Sequence, residues 1–139
     1  MNKTIYAVQG TADLGKTETL NILIDLLSSV AYNYSIEKYN EGTNDRHASF
    51  TINKTKICVC TAGDNEDEAN GNLAYIKKNK ADVVFTACHE TSSTARKALK
   101  EYAEEKHYEF ITEQKIDDEK ESRRLALKYF KIAIGDCEE

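Results

Sequence analysis

The sequence predicts an α/β protein, a three-layer α/β/α sandwich around a mostly parallel sheet, built as one domain over residues 1–139. Three observations carry this. β-prone runs alternate with stretches of helical periodicity along the chain. Two of those runs, Ile57 to Cys60 and Asp82 to Ala87, are almost continuously apolar, the pattern of strands covered on both faces. A glycine-bearing loop, Gly10-Thr11-Ala12-Asp13-Leu14-Gly15-Lys16-Thr17, joins the first strand-like run directly to the first helical one.

The elements follow in order. Lys3 to Gln9 is the first strand. Lys16 to Ala31 is a helix whose Leu20, Leu23, Ile24, Leu27 and Val30 form one apolar stripe for packing on the sheet. A short strand is expected over Tyr34 to Tyr39. Asn40 to His47 is polar, rich in turn residues and without periodicity, so it reads as a loop. Lying beyond the first helix, this loop makes Thr43, Arg46 and His47 candidates for contact with a nucleotide or an acceptor. Ala48 to Asn53 and Lys56 to Ala62 flank Asn53-Lys54-Thr55 and predict a hairpin. Glu66 to Asn79 is a helix with Ala69, Leu73 and Ile76 facing inward. Asp82 to Ala87 is a strand, and Ser93 to Lys106 a helix capped by Ser92 or Ser93. Tyr108 to Thr112 is the last strand, and Asp117 to Ile134 a helix with Leu127, Phe130 and Ile134 on its buried stripe. The chain has no proline, so its turns rely on Gly, Asn and Asp.

Composition narrows the function classes. The formal net charge is −5, from 19 Lys and Arg against 24 Asp and Glu. That argues against a general nucleic-acid surface or binding to anionic membranes. No apolar run reaches membrane-spanning length, and no signal peptide precedes the first strand, so a cytoplasmic location is expected. The four cysteines, Cys58, Cys60, Cys88 and Cys137, lack a second pair with zinc spacing and read as small core residues in a reducing compartment.

The loop from Gly10 to Thr17 reads G-x-x-x-x-G-K-T between a strand and a helix. Glycines let backbone N–H groups approach phosphate oxygens, and the helix start adds a favourable dipole. With this motif the chain resembles the P-loop NTPase superfamily. The resemblance implies a nucleoside triphosphate, ATP or GTP, bound with Mg²⁺ by Gly10, Asp13, Leu14, Gly15, Lys16, Thr17 and Thr19. Lys16 would reach the β- and γ-phosphates and Thr17 would hold the metal. Ligands of such sheets sit beyond the carboxyl ends of the strands. Asp64 follows a buried strand and is the acid best placed to support Mg²⁺, with an N-cap role as the alternative. Glu66, Asp67 and Glu68 read as helix-dipole partners. Asp82 precedes its strand and belongs at the opposite edge. His89 and Glu90 are candidates for orienting a water or an acceptor hydroxyl, or else simply lead into the next helix.

Cys60-Thr61-Ala62-Gly63 is similar to the D-T-A-G segment of Ras-like GTPases, which implies that the Gly63 amide senses a γ-phosphate. Cys60 replaces the family's aspartate and cannot do its work. Gln114-Lys115-Ile116-Asp117 is similar to the guanine-reading N-K-x-D motif, with Gln for Asn, so adenine or little base preference is expected. Arg123 and Arg124 on the last helix are candidates for a lid. The expected function is a small phosphotransferase or NTP hydrolase. The alternative is an ATP- or GTP-responsive binding protein with little catalysis that changes shape at Asn40 to His47 or Gly63 to Asp67, a behaviour compatible with a protein partner.

Overall fold

The computed structural model describes residues 3–10, 15–39, 42–89 and 93–138, with side chains as far as residue 135 in the last segment. The elements run β1 (Thr4–Gln9), α1 (Lys16–Ser28), β2 (Asn33–Lys38), β3 (Arg46–Ile52), β4 (Thr55–Cys60), α2 (Glu66–Asn79), β5 (Val83–Cys88), α3 (Thr94–Lys106), β6 (Glu109–Gln114) and α4 (Glu119–Glu138). Six strands form one sheet in the order β2-β3-β4-β5-β1-β6.

The sheet is mixed but mostly parallel in direction: five strands run one way and β3 alone runs the other. β4, β5, β1 and β6 pair in parallel, and β3 pairs antiparallel with both β4 and β2, so β2 again runs with the majority. The reason lies in the connections. Parallel neighbours need a long crossover, which the helices supply. The link from β3 to β4 is only the pair Asn53-Lys54, with φ of 48° and 70°. Two left-handed residues in succession make the turn whose twist matches a hairpin.

Side chains alternate between the two faces of the central strands. Val8, Ile57, Val59, Val83, Phe85 and Ala87 meet Leu20, Leu23, Ile24 and Leu27 of α1 and Leu125, Ala126, Tyr129 and Ala133 of α4. Ile5, Ala7, Cys58, Cys60, Val84 and Cys88 meet Leu73 and Ile76 of α2 and Leu99, Tyr102 and Ala103 of α3. Each large aliphatic buried this way contributes roughly 1.5–3 kcal/mol. Among the described residues no helix is long and apolar enough to cross a membrane.

The buried face of α4 differs from the predicted stripe. Leu127 is 45% exposed, while Ser122, Leu125, Ala126, Tyr129 and Ala133 are buried. Helix α4 packs against α1, and the small Ala126 and Ala133 allow that close approach. A reading that follows only large apolar residues rotates the helix away from this face. Cys58, Cys60 and Cys88 are buried and unbridged. Burial pushes the Cys58 thiol up to about 12, the Cys88 thiol up to about 11, and the Cys60 thiol well above its ordinary range. They therefore remain neutral core residues.

Candidate functional site

Strands β1, β4, β5 and β6 end at one edge of the sheet, with Gln9 level with Cys88 and Gln114, and Cys60 level with Thr86. Strand β3 is antiparallel, so it begins at this edge, with His47 opposite Cys60. The loops that follow four strands and precede a fifth thus converge. Asp82 lies at the other edge, where its carboxylate accepts from the Lys56 N–H at 3.0 Å.

Gly15 opens α1 in the left-handed region, at φ 86°. A Cβ there would lie 3.0 Å from Ser122 Oγ and 3.4 Å from Lys115 Nζ. Both the conformation and the contact call for glycine. The turn delivers Lys16 into a cleft of about 290 Å³ lined by Gly15, Lys16, Thr17 and Asp64. Lys16 is only 5% exposed. Its ammonium donates to the Gly10 carbonyl at 2.6 Å, the Cys88 carbonyl at 3.2 Å and Asp64 Oδ1 at 2.5 Å. Gly10 is held in place by its own N–H, which donates to the Cys88 carbonyl at 3.2 Å.

Thr17 faces a different carboxylate. Its hydroxyl donates to Asp45 Oδ1 at 3.3 Å and lies 3.5 Å from the Thr61 carbonyl oxygen. The Thr61 hydroxyl donates to the same Asp45 oxygen at 2.9 Å. Asp45, passed over in the sequence reading, is therefore the acid beside Thr17, while Asp64, singled out there, is paired with Lys16. Strand polarity is the signal that finds Asp45: a residue just before an antiparallel strand reaches the edge where the parallel strands end. Asp64 is not the cap of α2 either. Asn65 is, its Oδ1 accepting from the Glu68 N–H at 2.9 Å. Asp45 also lines a groove of about 360 Å³ with Asn21, Lys38, Thr43, Asn44 and Arg46.

Most of the other sequence candidates have structural partners. Gly63 donates its N–H to Glu68 Oε1 at 3.1 Å, and Asp64 donates its own to the same oxygen at 2.8 Å. The Thr19 hydroxyl donates to the Gly15 carbonyl at 2.8 Å, locking the first turn of α1 rather than facing the cleft. Thr43 shapes its loop, donating to the Tyr39 carbonyl and accepting from the Asp45 N–H, each at 3.2 Å. Arg46 is fastened to α1, with Nε donating to Asn21 Oδ1 at 2.8 Å and the guanidinium 3.5 Å from Asp25. Arg123 pairs with Glu119 at 3.0 Å and Arg124 with Glu121, all on α4. Gln114 accepts from Gln9 Nε2 at 3.3 Å, and Gln9 in turn accepts from Arg96 Nε at 2.8 Å. His89 follows β5 at the same edge and is half-buried. Asp13, Leu14 and Glu90 lie outside the described residues.

His47 belongs to the core. It is stacked on Tyr39, with ring centroids 4.3 Å apart, and tilted against Tyr75 at 4.7 Å. Its Nε2 lies 2.8 Å from Asn72 Oδ1, and Asn72 Nδ2 donates to the Ala62 carbonyl at 2.8 Å. The Asn72 orientation assigns the proton to Nε2. Burial lowers the His47 pKa from its ordinary 6.5, against smaller opposing effects of Asn72, Glu37 and Asp45. The unfolded chain thus takes up this proton first as pH falls. Stability is lost on acidification from 6.5 toward the lowered native value, by at most about 1.4 kcal/mol per pH unit from this group. Urea unfolding at pH 7.5 and 6.0 is expected to show the loss, and His47→Gln to reduce it; equal pH dependence in both proteins refutes the assignment.

Among the described residues no group of three or more His, Cys, Asp or Glu could hold a metal by itself. No family model, no curated protein and no solved structure matches the chain.

Proposed function

We propose that the chain binds a nucleoside triphosphate, ATP or GTP, with Mg²⁺ at the Gly10–Thr17 loop, as a P-loop NTPase-like three-layer α/β/α protein. On this reading it is a small phosphotransferase or NTP hydrolase. The supporting observation is the buried Lys16 ammonium at the start of a helix, next to a Thr17 hydroxyl that faces a carboxylate. The first turn of α1 adds N–H groups, because the first intrahelical bond of this helix is the one from the Thr19 N–H to the Gly15 carbonyl. An ammonium and a helix N-terminus together favour an anion.

The oxygens around Thr17 suit a hard cation. Asp45 Oδ1 lies 3.3 Å and the Thr61 carbonyl oxygen 3.5 Å from Thr17 Oγ1, and Thr61 Oγ1 lies 2.9 Å from Asp45 Oδ1. When bound, Mg²⁺ neutralises phosphate charge. Asp45 and Thr17 would hold it, leaving Lys16 to orient the phosphate chain. Calorimetric titration with ATP and GTP in the presence of Mg²⁺ tests the reading, and no binding of either overturns it. Asp45→Asn is expected to raise the Mg²⁺ concentration needed for half-maximal nucleotide binding about tenfold. Asp82→Asn, at the opposite edge, should leave it unchanged. The reverse ranking refutes the metal assignment.

A second reading has one specific observation behind it. In the resemblance to Ras-like GTPases Cys60 takes the place of the aspartate that helps hold Mg²⁺, and its thiol is fully buried and neutral. This favours an ATP- or GTP-responsive binding protein with slow turnover, which a protein partner would sense. Steady-state phosphate release separates the two, since a phosphotransferase with its acceptor turns over at about 1–100 s⁻¹. Gln114 is engaged by Gln9 rather than free to fix a base-reading loop, which supports adenine or little base preference.

A further inference from the structure

We infer that Asp64 and Glu68 decide which phosphate chain the cleft accepts: they favour a nucleoside diphosphate and admit a triphosphate only when both carboxylates withdraw. This rests on the nucleotide reading above and concerns which donors that site has left to offer. An ammonium has three N–H donors, and those of Lys16 are all engaged, two by backbone carbonyls and one by Asp64. The amides of Asp64, which lines the same cleft, and of its neighbour Gly63 both donate to one oxygen of Glu68. Two carboxylates of the chain therefore hold the donors that a terminal phosphate would need. Among the described contacts neither carboxylate accepts from a first-turn amide of α1, so those amides stay outside this arrangement.

The two carboxylates differ in how they are held. Asp64 is 46% exposed on its side chain, and among the described residues its carboxylate accepts from the Lys16 ammonium alone. It can swing to water when a phosphate oxygen takes that place. Glu68 is half-buried in the first turn of α2, its own N–H fixed by Asn65. Its side chain must rotate off two amides before they can face a ligand. A phosphate brought to Lys16 with both carboxylates in place would meet like charge at close range, in a cleft where screening is weaker than in water. Charge at these two positions, rather than shape, is what discriminates.

The test is calorimetric titration of Mg·ADP and Mg·ATP into the wild type, Asp64→Asn, Glu68→Gln and the double variant. Both substitutions preserve size and leave an acceptor oxygen, and thermal melts confirm folding. The wild type is expected to bind ADP at least as tightly as ATP. In the double variant the affinity ratio should move at least tenfold toward ATP, equivalent to about 1.4 kcal/mol. An unchanged ratio, or weaker ATP binding by Asp64→Asn as expected of a metal-supporting carboxylate, overturns the inference and leaves the nucleotide reading standing. Failure of the wild type and every variant to bind ADP, ATP or, in the same assay, GTP overturns both.

Discussion

Lys16→Ala is expected to weaken Mg·triphosphate binding at least 100-fold, about 2.7 kcal/mol, while leaving the protein folded. The loss is large because the ammonium is buried and acts where water screens it poorly. The fold should tolerate the change because of what Lys16 touches. Its carboxylate partner Asp64 is 46% exposed and is hydrated once released. Its other partners are two carbonyls beside an open cleft. An ion pair with one member in solvent contributes little to stability, so urea unfolding should change by less than about 1 kcal/mol. Calorimetry with ATP and with GTP reads the binding. Equal affinity in wild type and variant refutes the role of Lys16, and unfolding of the variant refutes the view that this lysine serves the cleft rather than the core.

Gly63→Ala is expected to be the most destabilising single methyl addition considered. A Cβ at Gly63 would sit 2.0 Å from the carbonyl oxygen of Ala87 and 2.5 Å from its carbon. That carbonyl belongs to β5, which pairs with β4 on one side and β1 on the other. Neither the turn nor the strand can shift without disturbing the pairings that hold the sheet. Overpacking against a fixed backbone costs about 3 kcal/mol or more. Gly42→Ala makes the comparison: nothing lies within 4 Å of its Cβ, and only its φ of 82° opposes a side chain, which costs roughly 1–2 kcal/mol. Urea midpoints of the two variants measure the difference. A Gly63→Ala protein as stable as Gly42→Ala would show that the close approach to Ala87 does not exist in solution. The measurement also separates two explanations for this glycine. Its N–H is engaged by Glu68, and its missing side chain is explained by β5, whether or not a phosphate ever reaches it.

The sequence by itself determined the succession of elements. Helix α2 has the bounds that its periodicity predicted, and the hairpin at Asn53-Lys54 lies where turn chemistry put it. So do the glycine at the start of α1 and the serine cap of α3, which is Ser93. These features depend on residues within a few positions of one another, so composition and spacing report them. Strand polarity was legible as well, and it assigns Asp82 to the far edge. Only the tertiary structure decided which side chains meet. Asp45 reaches Thr17 across the gap from the β2–β3 loop to α1, and Lys16 selects Asp64 from a run of four acids within five residues. His47 looks like a loop residue in sequence, yet two tyrosine rings and Asn72 enclose it. Leu127 fits a helical stripe, yet α4 turns Ala126 and Ala133 toward α1 instead. Partners far apart in the chain are set by sheet order and by how closely helices approach, and no local pattern encodes either.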